Sequence, residues 1–422
     1  MTQGDPHNLE QRLENTVQSL ESEKISSNNQ QLLERFYNYL VSQELSNSRV
    51  TRHLRCVKVT AEYMDGDLST VSKSKMVELV GAINQNQIKD TELADSTKAE
   101  YRKSLIKFYS DFLDTMKDDI RQVSNDLDGE KLTDFFTSTC KTTMPDPETL
   151  PEPDTIRRLV RNAPKTRDKT LLMLLWSTGG RISEILGLKW KDVRFKQGED
   201  KELVTVVFRE TKKGENRKVP IRTGFVYLKD LKQKDPKGED PDAWVFRSEQ
   251  TKDQLSYRSA YKAIQRAERR ADLEQHTKTN PHAFRKARAT FLASQGMNQA
   301  TLCEYMGWVQ GSDQASVYIA LAESDKENTV MELAGMKKKE ENRERDLLPV
   351  KCHECGELNR FETENCRECG QTLTTASMFK QVQIEEKTEK FMQEIISSET
   401  KFDPQEINEK AKKFVEDEFN LS

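Results

Sequence analysis

Ser177-Thr178-Gly179-Gly180-Arg181-Ile182-Ser183-Glu184-Ile185-Leu186-Gly187-Leu188 is the stretch on which the reading of this chain turns. It follows Leu171-Leu172-Met173-Leu174-Leu175-Trp176, the longest apolar run in the sequence. That run falls far short of the roughly 20 residues needed to span a bilayer and reads as a buried helix. Arg181 then opens the next helix. Taken alone, an arginine there is an ordinary surface ion-pair partner. Its company changes the weight. Downstream stand His282-Ala283-Phe284-Arg285, then Gly307-Trp308, then Tyr318 ten positions after Trp308. Between the first two segments, Leu203-Val204-Thr205-Val206-Val207-Phe208 is short and β-branched. The turn Thr211-Lys212-Lys213-Gly214 returns it through Arg217-Lys218-Val219-Pro220-Ile221, which together read as a β-hairpin.

These residue types suit one chemistry. Two arginines at one point can hold both non-bridging oxygens of a phosphodiester, because guanidinium is a planar fork that stays charged. Such a pair stabilises a pentacovalent phosphorus. A phenol is a poor nucleophile at its ordinary pKa of about 10; beside guanidinium and imidazole groups its oxyanion is expected to become accessible. A hairpin lysine can protonate a departing 5′ oxygen, and a positioned acid or base contributes about 10²–10⁴-fold. No Asp/Glu cluster in this region reads as a two-metal nuclease site.

The four segments resemble the boxes of the tyrosine recombinases, or phage-integrase family. Thr178 to Ile185 matches the first box. Arg217-Lys218-Val219-Pro220-Ile221 matches the strand after the hairpin lysine. His282 and Arg285 match His-x-x-Arg, and Gly307, Trp308 and Tyr318 match the last box. The resemblance covers about residues 27–325. It implies that Arg181 and Arg285 clamp the scissile phosphate and that Tyr318 attacks it, leaving a 3′-phosphotyrosyl link. Lys212 is the implied general acid, with Lys213 its rival, and His282 is assigned acid–base transfer and phosphate binding. Trp308 stands where many members have histidine; its indole can donate a hydrogen bond but cannot shuttle a proton. Glu184 would orient or buffer the site. Tyr305, before Gly307, reads as core. The implied activity is site-specific DNA recombination or integration without ATP, catalytic metal or catalytic cofactor. It implies double-stranded DNA as partner, a dimer on each site and a tetrameric synapse. The alternatives are an inactive DNA-binding relative and a type IB topoisomerase-like enzyme.

The rest of the chain fits a mainly helical protein with a small β-sheet: a helical core-binding domain, a mixed α/β catalytic domain and a small zinc ribbon. Only 35% of the 422 residues are apolar and 33% are charged. No basic-then-apolar signal opens the chain, and a cytoplasmic, nucleoid-associated protein with no membrane partner is expected. Net charge is −4, and residues 374–422, with 11 acids and 7 lysines, account for all of it. Residues 1–25 read as a flexible or weakly helical tail. Residues 26–141 read as a helical domain, with Leu32, Leu33, Phe36, Leu40 and Val41 as one stripe and Tyr101, Leu105, Phe108, Phe112 and Leu113 as another. Ser48 is the expected cap of its second helix. The prolines at 145, 147, 151 and 153 mark a linker over 142–153, with Asp154 capping the helix that follows. The catalytic domain is read over 154–340. Basic stretches at 212–222 and 277–291, together with Arg49, Arg52, Arg55 and Lys58 on one helix side, are candidate DNA contacts.

Cys352-x₂-Cys355 and Cys366-x₂-Cys369 have the spacing of a four-thiolate structural zinc site, a ribbon over 350–372. Gly356 and Gly370 follow each pair where a knuckle often needs positive φ. Four thiolates leave no open position, so one structural Zn²⁺ is expected. His353 is read as solvent-facing, and Cys56 and Cys303 as buried apolar residues. Binding DNA, binding a partner and bracing the C-terminal helices all remain open as roles for the ribbon. The acidic segment 373–422 reads as amphipathic helices.

Overall fold

The computed structural model describes residues 5–116, 132–140, 146–196, 203–209, 216–274, 276–311, 313–323 and 343–373. The N-terminal unit is helical: α1 (Leu9–Gln18), α2 (Ser27–Ser42), α3 (Asn47–Tyr63), α4 (Lys73–Asn84) and α5 (Asp95–Ile106). A π-helical stretch, Lys107–Phe112, carries α5 into the short α6 (Leu113–Thr115). Leu32, Leu33, Phe36 and Leu40 of α2 are buried against Phe108 and Phe112, with Phe36 edge-on to Phe108 at 5.0 Å. Each such side chain contributes about 1.5–3 kcal/mol by leaving water. Val41 departs from the expected stripe, facing solvent at 48% exposure, one residue past the buried turn.

Within the stretch read as a flexible or weakly helical tail, Leu9–Gln18 forms the helix α1. α1 packs on α3, and Leu13, Val17, Leu20 and Ile25 join the same core. Leu13, Val17 and Leu20 recur at helical spacing, so α1 has an apolar stripe of its own. Two expected caps also differ. α3 begins after Ser46, placing Ser48 inside its first turn. α7 (Pro153–Asn162) takes Pro153 as its first residue, so Asp154 lies within the helix and accepts from Arg157 at 2.9 Å.

The second core surrounds α8 (Thr166–Thr178), in which Thr170 to Thr178 are all buried. After α9 (Ile182–Leu186) comes an antiparallel sheet in the order β1 (Val193–Lys196), β2 (Leu203–Phe208), β3 (Arg217–Ile221). Val206 pairs with both Val193 and Val219. The hairpin is as read; β1 is too short to signal itself. α10 (Phe225–Lys234), α11 (Tyr257–Ala271), α12 (Pro281–Ser294), α13 (Gln299–Met306) and α14 (Asp313–Glu323) follow. A 3₁₀ turn at Arg343–Leu347 puts Leu347 wholly inside this core, so the core runs past residue 340. β4 (Val350–Lys351) and β5 (Leu358–Asn359) pair within the cysteine module. The helices expected within 373–422 lie outside the described residues apart from Leu373. Among the described residues, no helix is long and apolar enough to cross a membrane.

Candidate active site and cysteine module

α8 stops at Gly179, whose φ of +56° only glycine adopts without strain. A Cβ there would lie 2.9 Å from Met306 Cε and 3.2 Å from Arg288 Cγ, so α8, α12 and α13 close on one point. The chain turns and Arg181 becomes the residue preceding α9. Glu184, one turn on, accepts from the Arg181 backbone N–H at 2.9 Å and from Arg181 Nη1 at 2.7 Å. Its second partner comes from the sheet: Arg217 Nη2 donates to Glu184 Oε2 at 2.6 Å. Arg217 also donates to the Tyr305 carbonyl at 2.6 Å and lies over the Phe208 ring at 4.3 Å. Burial pushes the Glu184 carboxyl up, but the Arg217 charge and the Arg181 contacts outweigh it and leave it below the usual carboxylate range. The Arg181 side chain keeps 36% of its surface open.

Arg285 approaches from α12. Pro281 occupies the first position of that helix, and Asn280 accepts from Ala283 N at 3.0 Å. One turn further in, Arg285 is 5% exposed. Its Nη1 donates to the Gly179 carbonyl at 2.7 Å and its Nη2 to the Met306 carbonyl at 2.6 Å. Burial first, then the charges of Arg181 and Arg217, bring it down to about 9. Three cations therefore lie within electrostatic reach of one another with Glu184 as their shared anion. His282 stands at the exposed start of α12. Lost solvent, then Lys286, Arg285 and Arg181, lower its pKa, which favours neutral imidazole.

α13 ends at Gly307, with φ +65°, and Trp308 N donates back to the Cys303 carbonyl at 2.8 Å. That turn lays the Trp308 indole under Arg285, whose guanidinium carbon is 5.5 Å from the ring centre. Tyr318, on α14, stacks on Trp308 with centroids 5.3 Å apart and planes 9° from parallel. The phenol is 8% exposed. Its pKa corrects an expectation. Burial raises it above the ordinary value, and Arg285 lowers it by less than burial raises it. Desolvation penalises the phenolate more than one nearby cation favours it.

The fold thus brings Arg181, Arg285, Trp308 and Tyr318 together with His282 at the rim. Lys212 and Lys213 lie outside the described residues. Tyr305 is structural: its hydroxyl donates to the Ser177 carbonyl at 2.5 Å. Two residues read as DNA contacts are not available for that. Arg217 is neutralised by Glu184 at 2.6 Å and lies on the same buried strand face as Val219 and Ile221. Arg288 is 7% exposed and donates to Glu344 Oε1 at 2.5 Å. The period of two along β3 does carry the signal for Arg217, because it shares a face with Val219 and Ile221. Arg288 has no such local signal.

In the helical unit, Arg52, Arg55 and Lys58 line a groove of about 830 Å³ together with Arg12 of α1 and Lys89. Arg52 is held by Glu100 at 3.0 Å and Lys58 by Glu62 at 3.1 Å.

In the cysteine module, the four Sγ atoms of Cys352, Cys355, Cys366 and Cys369 lie within 4.8 Å of one another and could hold a metal ion. Two Sγ pairs are 3.5 Å apart, close to the roughly 3.8 Å edge of a tetrahedron with metal–sulfur bonds of about 2.3 Å. Gly356 and Gly370 have φ of +74° and +77°, and each N–H donates to the carbonyl of the first cysteine of its pair at 2.9 Å. His353 is exposed, and Cys56 and Cys303 are buried.

Residues 151–325 match the phage integrase family. Similar proteins include tyrosine recombinase XerA of Pyrococcus horikoshii, 27% identical over 161 residues, or 38% of this chain and 53% of that one. XerA of Thermococcus kodakarensis is 30% identical over 171 residues, covering 38% and 55%. The chain thus spans about half the length of these curated relatives. A tyrosine recombinase of Thermosipho africanus aligns over 72% of this chain and 99% of its own at 21% identity. Among solved structures, the XerH site-specific recombinase bound to a palindromic difH substrate shares the fold, with TM-score 0.53, 16% identity and coverage of 79% and 98%. So does a lambda integrase dimer bound to a COC′ core site, with TM-score 0.51, 13% identity and coverage of 68% and 94%. Sequence match and shared fold agree: residues 151–325 are similar to the phage integrase family and to Xer-like tyrosine recombinases.

Proposed function

We propose that the protein is a site-specific DNA recombinase that cuts and rejoins DNA through Tyr318. The observation that carries this reading is the packing of the Tyr318 phenol on Trp308, beside Arg285, whose own charge is coupled to that of Arg181. A scissile phosphate entering between these guanidiniums meets Arg285 already fixed by two backbone carbonyls and Arg181 still open to solvent. The Tyr318 oxygen attacks phosphorus, its proton passes to neutral His282, and the bond from phosphorus to the 5′ oxygen breaks. Lys212 gives that oxygen its proton, a role assigned by resemblance. Return attack by a 5′ hydroxyl reverses each step, so strand exchange needs no external energy. The two arginines supply the positive charge that the phosphorane requires.

The basic groove of α1, α3 and Lys89 supports a DNA-facing surface on the helical unit, and half-buried Lys286 adds a further positive charge beside His282. Lambda integrase, whose fold this chain shares, is described as a dimer on its core site and as a tetramer on a Holliday junction. We extend that assembly to this protein, acting on double-stranded DNA in the nucleoid. The four thiolates are read as holding one structural zinc.

The test uses nicked suicide duplexes built from sequences that the protein selects out of a random library. Active protein should leave a covalent adduct that survives denaturation and is absent in Tyr318→Phe. Relaxation of supercoiled plasmid without a preferred site would point to topoisomerase-like activity. Selective binding with no adduct would mark a DNA-binding relative and refute the enzyme assignment.

A further inference from the structure

We infer that the cysteine module is an intramolecular brace of the integrase-type domain, docked on the Tyr227–Asp230 face of α10, and that metal loading is coupled to the stability of that domain. The inference rests on the reading that the four thiolates hold a metal.

The docking face is built from charge that is buried and paired. Asp230 of α10, 8% exposed at its side chain, accepts from Arg360 Nε at 3.1 Å and from Arg367. Arg367 lies on the knuckle between Cys366 and Cys369 and also bonds Glu357. In return, the module's Glu362, 7% exposed, accepts from Lys169 of α8 at 3.0 Å and from the Tyr227 hydroxyl. Phe361 packs on Tyr227, centroids 6.1 Å apart, and with Leu358 joins the edge of the domain's core. Each side thus gives both an acid and a base to the other, the pattern of a specific interface. Desolvated acids such as these need their partners, so a module that unfolds leaves Asp230 uncompensated.

The module is poorly suited to reading DNA. Residues 350–373 hold five acids against three basic residues. Two of the basic residues, Arg360 and Arg367, are turned onto Asp230. Glu354, Glu364 and Glu368 face solvent. Four thiolates around a divalent ion would add further negative charge, and a surface of that sign repels phosphate.

The connection to the site is short. Only Leu348 and Pro349 separate the module from Leu347, which is sealed in the domain core. Three residues earlier, Glu344 accepts from Arg288 Nη1 at 2.5 Å and from Trp176 Nε1 at 3.3 Å. Arg288 is one helical turn beyond Arg285 and touches the Gly179 turn to which Arg285 is bonded. Metal-dependent folding of the module therefore anchors a strap against the support of the phosphate clamp. Binding to the folded state alone stabilises by linkage, and structural thiolate sites fold with their metal.

The experiment uses the full chain and zinc. Zinc is quantified first, by release with a mercurial into a colorimetric chelator. One equivalent per chain is expected; none, even after titration with zinc, would sink the metal reading itself. The loaded and stripped proteins are then compared by thermal unfolding, followed through tryptophan fluorescence, and by hydrogen exchange of the α10 amides. Stripping should lower the main midpoint by about 5 °C or more and speed exchange in α10. Asp230→Asn should retain its zinc yet show a clearly smaller zinc-dependent shift. The salt dependence of binding to a plain duplex should be the same in loaded and stripped protein. Bound zinc with an unchanged midpoint and unchanged α10 exchange overturns the brace. A loss of one or more phosphate contacts from the salt slope on stripping, with α10 unaffected, would overturn it in favour of a DNA-contacting finger.

Discussion

Arg217→Gln tests whether the proposed phosphate clamp of Arg181 and Arg285 depends on a buried cation paired with Glu184. Arg217 and Glu184 form a pair at 2.6 Å with side chains only 4% and 11% exposed. Removing one member of a buried pair costs about 3–5 kcal/mol, because the other charge is stranded. Here the loss is moderated, since Arg181 still offers Glu184 its Nη1 at 2.7 Å and its backbone N–H at 2.9 Å. The Tyr305 carbonyl loses its donor as well, worth about 1 kcal/mol. The expected net destabilisation is about 3 kcal/mol by urea titration at neutral pH. A cycle with Glu184→Gln should give a coupling of about 2 kcal/mol. The Glu184 carboxyl is depressed, so this stability is present above about pH 4.5, the ordinary glutamate range, and is lost as pH falls through the lower folded value. The double variant should lack that acid dependence. Adduct formation should fall about tenfold or more, because Arg181 becomes the main cation for Glu184 and is less free to turn to DNA. A coupling below about 0.5 kcal/mol with normal adduct yield would refute the shared-anion argument.

Two further outcomes follow from local geometry. Gly179→Ala should destabilise by about 2 kcal/mol, since φ is +56° and the new methyl meets Met306 and Arg288; urea midpoints measure the loss. Adduct yield should drop with it, because the Gly179 carbonyl holds Arg285. His53 is driven to about 4 by burial foremost and then by Arg52, while its Nδ1 lies 3.0 Å from Ser104 Oγ. A lowered folded value means that the unfolded chain takes up a proton first as pH falls. Stability of the helical unit should therefore be level above about pH 6.5 and decline towards pH 4. The loss should reach about 2 kcal/mol, allowing for the solvent that still reaches the ring. His53→Gln should flatten that decline, and an imidazole NMR titration centred near 6.5 would contradict the argument.

How much of this was legible beforehand differs by residue. The boxes around Arg181, His282, Arg285 and Tyr318 could be read in one dimension, because their order and spacing are those of a family's boxes. The hairpin from Leu203 to Ile221 showed in its β-branched run, and the metal-holding geometry of Cys352, Cys355, Cys366 and Cys369 showed in its spacing. The core-packing role of α1 was not read, although Leu13, Val17 and Leu20 repeat at helical intervals, because the polar residues between them dominated the composition. β1 was missed because four residues carry too little period.

The amino-acid order thus determined the helical and hairpin elements, the identity of the chemical groups and the thiolate set, since each depends on near neighbours or on a family's spacing. The tertiary structure alone decided which charges are working groups and which are ballast. Arg217 finds Glu184 33 positions away, Arg288 finds Glu344 56 away, and Arg367 finds Asp230 137 away. Burial and charge pairing are properties of the space a side chain enters, so the same guanidinium stays open to solvent at Arg181 and is a sealed strut at Arg288. The raised pKa of Tyr318 belongs to the same class: only the packed site shows that lost solvent outweighs a nearby cation.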